Sequence, residues 1–342
     1  MPPYSLDTLR RLQDIAAGAS LLRPWRPARY DQGDHLAWSI TGVCPATPGR
    51  AGFIIDKFVG GGFAGQVYRA RLDSLTLDGP PIPGFEPGRV YGLKILIPPS
   101  AFSRLFRNTI YWLAYQAPFA AQVNPAAVRA GALWKKVARR AASVRLGVQD
   151  AVSDIYATFY DPVLRSYGEV NEWVEGRAWK LEADDQLFRR WAWKGGDVPG
   201  SREFVAKRRF MASVVTMLHD MGAPELARQY EWWTLKSQPN CLKRDGHDDD
   251  PAAGLCAIDW RAGLALLPFL PMSPGDVKLI LAGLLRGRLV QFDRGDMPRL
   301  DRFVHDNAPA FADMAPALDE LSRPKPPTAP PSPTSPAKPS SS

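Results

Sequence analysis

The stretch Gly60-Gly61-Gly62-Phe63-Ala64-Gly65-Gln66-Val67 constrains what this chain can fold into more than any other. It follows the pattern G-x-G-x-x-G-x-V, with strand-like Ile54–Val59 before it and Val67–Leu72 after it. Glycines here let the backbone bend sharply and bring N–H groups close to anionic oxygens without Cβ interference. A dinucleotide-binding βαβ unit needs a helix directly after the glycines. Val67-Tyr68-Arg69-Ala70-Arg71-Leu72 alternates like a strand instead, so the pattern predicts a β-hairpin whose glycine-rich tip forms a flap over phosphate.

The chain has 342 residues, 45% of them apolar, with 11 Trp and 15 Phe, enough to bury a sizeable core in one large bilobal unit or two domains. Cys44, Cys241 and Cys256 are odd in number and widely spaced, which indicates neither a disulfide framework nor a structural zinc site. The N-terminal region carries Asp7 and Asp14 and does not read as a secretory signal. The apolar runs Tyr111–Ala121 and Leu264–Pro271 fall short of the roughly 18–20 residues of a spanning helix. These features lead to the expectation of a cytoplasmic protein.

Charge is unevenly placed. Between residues 101 and 149 the chain holds Arg104, Arg107, Arg129, Lys135, Lys136, Arg139, Arg140 and Arg145 and no acid, which alone equals the net charge of +8. Residues 126–146 combine helix formers with Val128, Leu133, Trp134, Val137 and Val144, so they read as an amphipathic basic helix. Its 129–145 face suits an anionic partner or a membrane surface, giving peripheral membrane association; the plainer reading is a solvated face. No nucleic-acid motif accompanies it.

Residues 323–342 are rich in Pro and Ser and read as a disordered tail, and Gly79–Gly88 has the composition of an extended hairpin loop. Helices are expected at 5–17, 126–146, 202–221, 274–287 and 297–320. Strands are expected at 53–72, 89–97, toward the end of 155–174, at 240–243 and at 255–259. Strands first and helices later is an α+β order.

A single lysine interrupts the apolar run Val90-Tyr91-Gly92-Leu93-Lys94-Ile95-Leu96, and an ammonium among apolar neighbours calls for an anion. A glycine-rich flap followed by a strand with such a lysine resembles the protein-kinase-like superfamily. Val170-Asn171-Glu172-Trp173-Val174-Glu175-Gly176 resembles its strand and hinge, and Met217-Leu218-His219-Asp220-Met221-Gly222 the end of its long helix. Pro239-Asn240-Cys241-Leu242 resembles the catalytic-loop asparagine, and Ala257-Ile258-Asp259-Trp260 the metal-binding aspartate. The flap is similar to that of the atypical kinases of ubiquinone biosynthesis. Ile258-Asp259-Trp260 is similar to aminoglycoside and choline phosphotransferases.

The resemblance implies a bilobal kinase-like α+β fold, with a β-rich lobe at 51–175 carrying the basic helix, a helical lobe at 176–322, and an N-terminal extension at 1–50. It implies ATP and Mg2+ as cofactors. Gly60, Gly62, Gly65 and Val67 would cover the nucleotide, Lys94 would contact its phosphates, backbone groups at Glu172 and Val174 would meet the base, and Asn240 and Asp259 would hold the metal.

The family pattern fails at the activation segment, which the apolar run Leu264–Pro271 replaces with no Ala-Pro-Glu after it, and at two positions that bear on the chemistry. No Glu occurs between Glu86 and Glu169 to pair with Lys94, so either Asp150 or Asp154 substitutes or the lysine lacks that partner. Position 235, where the catalytic aspartate would stand, is Leu. Glu231 and Lys236 are then the candidates for proton acceptor and phosphoryl-stabilising cation. Two functions follow: transfer of the γ-phosphoryl group of MgATP to a protein or small molecule, or a pseudokinase that binds nucleotide as an interaction module.

Other polar residues read more plainly. His219 fits a core histidine, and Asp245–Asp250 a solvated hairpin turn. Cys241 and Cys256 fall on the two strands of that hairpin. Among the tryptophans, Trp173 and Trp260 are the ones reserved for the cleft.

Overall fold

Period-two burial builds the largest element. The computed structural model describes residues 29–61, 65–97, 105, 125–177, 202–231, 240–260 and 295–323. In β1 (His35–Gly42) and β2 (Pro48–Gly61), Trp38, Ile40, Ala51, Phe53 and Ile55 are buried while their sequence neighbours point outward. The same alternation turns Gln66, Tyr68, Ala70 and Leu72 of β3 (Gln66–Leu77) inward, as expected of pleated strands with one buried face. With β4 (Val90–Ile95), β5 (Ile155–Asp161) and β6 (Ser166–Glu172) these strands form a closed barrel in the order β1-β2-β3-β4-β6-β5. Every pairing is antiparallel, and Ile40 opposite Phe159 belongs to the β1–β5 seam that closes it.

Aromatic side chains fill the interior. Trp38 stacks on Phe159 with ring centroids 4.1 Å apart. The loop between β3 and β4, expected as an extended hairpin, folds back and inserts Ile82 and Phe85 into the same core. Phe85 packs edge-on to Tyr91, whose hydroxyl donates to the Gly84 carbonyl at 2.9 Å and accepts from the Glu86 amide at 2.8 Å. Burying each such side chain contributes roughly 1.5–3 kcal/mol.

A second core lies outside the barrel. Helix α1 (Pro125–Arg145) places Leu133, Trp134, Val137, Ala138 and Ala141 against α2 (Arg202–Asp220) and α3 (Pro224–Glu231). The short helices α4 (Met297–Asp306), α5 (Ala308–Phe311) and α6 (Ala315–Ser322) add Leu300, Phe303, Phe311 and Leu321 to it. A small sheet, β7 (Gly176–Arg177), β8 (Cys241–Arg244) and β9 (Leu255–Ala257), joins the barrel side through the Ser153 amide, which donates to the Ala257 carbonyl at 3.0 Å.

The expected bilobal kinase-like fold is overturned by the closed barrel, the dominant element of the described residues. The motifs behind that expectation locate strands β2, β3, β4 and β6 but say nothing of how the sheet ends. Closure depends on β1 and β5, and His35–Gly42 lies in the segment 1–50 read as an extension. The helices expected at 126–146 and 202–221 are present as α1 and α2, whereas 297–320 holds three short helices rather than one. The helices expected at 5–17 and 274–287 and the tail beyond residue 323 lie outside the described residues. Among those described, no helix is long and apolar enough to cross a membrane.

Candidate functional site

Because Tyr91, Leu93 and Ile95 point into the barrel, alternation turns Lys94 to its outer face. In β6, Gly168 and Val170 face inward, so Glu169 and Asn171 face outward. Register then aligns one rung across four strands, with Gly60 opposite Val67, Val67 opposite Lys94, and Lys94 opposite Glu169. The rung brings the flap base, the lysine and a carboxylate that the sequence motifs did not single out onto one surface.

Helix α1 and the end of β9 cover this surface. Lys135, 3% exposed, descends from α1 and donates to Asn171 Oδ1 at 2.6 Å. Asp259 reaches Lys94, its Oδ1 lying 2.5 Å from Nζ across 165 residues of sequence. The backbone holding Asp259 is tied on both sides: the Tyr230 hydroxyl donates to the Asp259 carbonyl at 3.1 Å, and Trp260 Nε1 donates to the Ala257 carbonyl at 3.1 Å. The Ile258 amide donates to the Asn240 carbonyl at 2.9 Å, so Asn240 and Asp259 stand at the same end of the β8–β9 hairpin.

Electrostatics divide the site by depth. Burial pushes the Lys135 ammonium down to about 8, against the attraction of Glu169 and reinforced by the charge of Lys94. The Tyr230 hydroxyl is held well above its usual range by burial and then by Asp259, and so stays neutral. Side-chain exposure is 34% at Asp259 and 14% at Lys94, which places these two toward solvent above Lys135.

Gly60, Val67 and Lys94 share one rung, Asp259 pairs with Lys94, and Asn240 joins through its backbone carbonyl, which accepts from the Ile258 amide. Gly65 is sterically required, since a Cβ there would sit inside contact distance of the Ile95 carbonyl oxygen. The Glu172 amide donates to the Asp154 carbonyl at 2.9 Å, and its carboxylate pairs with Arg244 at 2.7 Å and lies 3.7 Å from Arg139. Val174 is buried beyond it. Glu231 closes α3 one residue after Tyr230. Gly62, Leu235 and Lys236 lie outside the described residues.

Neither acid offered as a substitute partner reaches Lys94. Asp150 pairs with Arg139 at 2.6 Å and Asp154 with Lys136 at 2.7 Å. The basic helix is likewise not the open cationic face its sequence suggests. Arg129 pairs with Glu320 at 2.8 Å, Arg140 with Asp313 at 2.7 Å and Arg145 with Asp220 at 3.2 Å, so these three arginines face carboxylates of the same chain. Arg104 and Arg107 lie outside the described residues.

The thiols take no part in the site. Leu242 opposite Cys256 puts Cys241 and Cys256 on opposite faces of the hairpin, and burial pushes both up to about 12. Asp245–Asp250 form the expected turn, held where Lys243 donates to the Asp250 and Ala253 carbonyls at 2.6 and 2.9 Å.

The site contributions of Lys135, Glu169 and Tyr230 were not apparent from motifs. Lys135 carries a signal in its spacing, lying three residues from both Ala132 and Ala138 on the buried stripe of α1. The donor set bears on a metal: among the described residues no group of three or more His, Cys, Asp or Glu could hold one. Asp259 offers one carboxylate, and the contact that fixes Asn240 beside it is through its backbone carbonyl; Mg2+ keeps several waters and takes few protein oxygens. Comparison with models of known protein families and with characterised proteins finds no match to this chain.

Proposed function

We propose that the Lys94–Asp259 surface binds the phosphates of MgATP and that the protein transfers the γ-phosphoryl group to an acceptor hydroxyl. The observation that carries the reading is the 2.5 Å ion pair joining a strand lysine to an aspartate far along the chain, beside the base of a glycine-rich hairpin. An ammonium so placed neutralises phosphate oxygens, and transfer of a phosphoryl group depends mainly on positioning and charge neutralisation. Asp259 and Asn240 would hold Mg2+, which supplies further neutralisation when bound. Lys94 orients the phosphates, and the buried Tyr230 keeps the Asp259 backbone fixed. In the transfer, the bond from phosphorus to the β,γ-bridging oxygen breaks as the acceptor oxygen bonds to phosphorus. The acceptor's proton leaves to Glu231 or to water. Three free thiols fit a reducing compartment such as the cytoplasm.

A thermal-shift titration with ATP, with and without Mg2+, tests the binding half. At a hundredfold excess over Kd the parent gains about 2.7 kcal/mol of apparent stability, and Asp259→Asn loses the Mg2+-dependent part. No shift at millimolar ATP overturns the reading. A second reading, binding without transfer, is favoured by Leu235 at the usual position of the catalytic acid. A shift accompanied by no release or transfer of labelled phosphate selects it.

A further inference from the structure

Lys135 is a buried ammonium with too few acceptors. It has three donors, and among the described residues its one hydrogen-bond partner is the neutral Asn171 amide oxygen. No carboxylate lies within ion-pair distance of it there, although the charges of Glu169 from β6, Lys94 from β4 and Asp154 ahead of β5 act on it, the Cys256 thiol of β9 being held neutral by burial. An ammonium 97% removed from solvent and left with one neutral acceptor is costly, and an apolar side chain of similar length on α1 would avoid that cost. The charges nearby explain why it is kept. Asp259 and Glu169 stand beside the Lys94 and Lys135 ammoniums, and Mg2+ engaging Asp259 draws off part of that negative charge.

We propose that Lys135 is a second cationic anchor for the phosphates of the bound nucleotide, donating from beneath Lys94 while it keeps its bond to Asn171. This assignment rests on the reading of Lys94 and Asp259 as a phosphate site. It differs from a structural role in its consequence for protons. Burial holds the free ammonium near the point of losing its proton at pH 8, and an arriving polyphosphate favours the charged form, so binding draws a proton from solution.

Isothermal titration of MgATP into the parent, Lys135→Met and Asp259→Asn at pH 8, in two buffers of different ionisation enthalpy, reads affinity and proton uptake together. The parent is expected to take up a fraction of a proton. Lys135→Met is expected to bind at least tenfold more weakly with no uptake, at a melting temperature equal to or above the parent's because a buried charge is gone. Lys135→Gln, which retains a donor for Asn171, gives the same loss if Met perturbs packing. Binding by Lys135→Met with the parent's affinity and uptake overturns this assignment alone, as does a parent that binds without proton uptake. A parent that does not bind MgATP overturns both this assignment and the phosphate site.

Discussion

At the scale of single residues, the glycine flap contains one glycine that geometry requires and one that it merely permits. A Cβ at Gly65 meets the Ile95 backbone carbonyl, which cannot move without separating β3 from β4, whereas nothing lies within 4 Å of a Cβ at Gly60. Gly65→Ala is therefore expected to destabilise the protein by about 1–3 kcal/mol in urea unfolding, and Gly60→Ala to stay within about 0.5 kcal/mol of the parent. Equal effects from the two substitutions would contradict the pairing of Gln66 with Ile95. Lys94 was legible because it interrupts an apolar strand with a charge, and Asp259 because Ala257-Ile258-Asp259-Trp260 resembles a known metal-binding motif. Glu169 was not, because its role follows from standing opposite Lys94 in the register, a relation between strands that are far apart in sequence.

Among elements, α1 is the one whose sequence and placement diverge most. Its period was legible, and the helix appears within a residue of the expected bounds. Its charges were not, because the acids that meet them come from the segment before β5, from β6, from the end of α2 and from the C-terminal region. Arg139 lies beside Asp150, Asp154 and Glu172, and Glu172 continues the cluster to Arg244 of β8, so one set of charges ties α1, the barrel and the small sheet together. Glu172→Gln removes the only acid of that set bonded to Arg244 among the described residues and leaves a mostly buried guanidinium short of charge. It is expected to cost on the order of 3 kcal/mol in chemical unfolding, with little relief from added salt, since such partly buried pairs are weakly screened. Combined with Arg244→Gln, the cost should fall well below the sum of the two single substitutions, a coupling that marks residues of one network. Additive costs would show that the cluster does not join these elements.

For the whole molecule, the question is whether the barrel and the outer helical core unfold as one. Two groups of buried residues are distinct in space, one within the barrel and one around α1, α2 and α3. Local motifs made the second strand onward legible and left closure unread, because the β1–β5 seam joins residues near 40 to residues near 159 and no short pattern announces it. The same seam argues for cooperativity. Arg129 of α1 donates to the Gly42 carbonyl at the end of β1 and also pairs with Glu320 of α6, while Lys135 donates to Asn171 of β6, so α1 is bound to both cores at once. Loosening the barrel should then release α1, and with it the apolar surface that holds α2 and α3. Trp38→Ala probes this from a site wholly inside the barrel, where loss of the stack on Phe159 is expected to cost about 3–5 kcal/mol. If the cores are one cooperative unit, hydrogen exchange at α1 and α2 amides accelerates by the same factor as at β1 and β2 amides. Acceleration confined to the barrel strands would show instead two units that share a helix without sharing stability, and would make the Lys94–Asp259 pair a contact between separately opening parts.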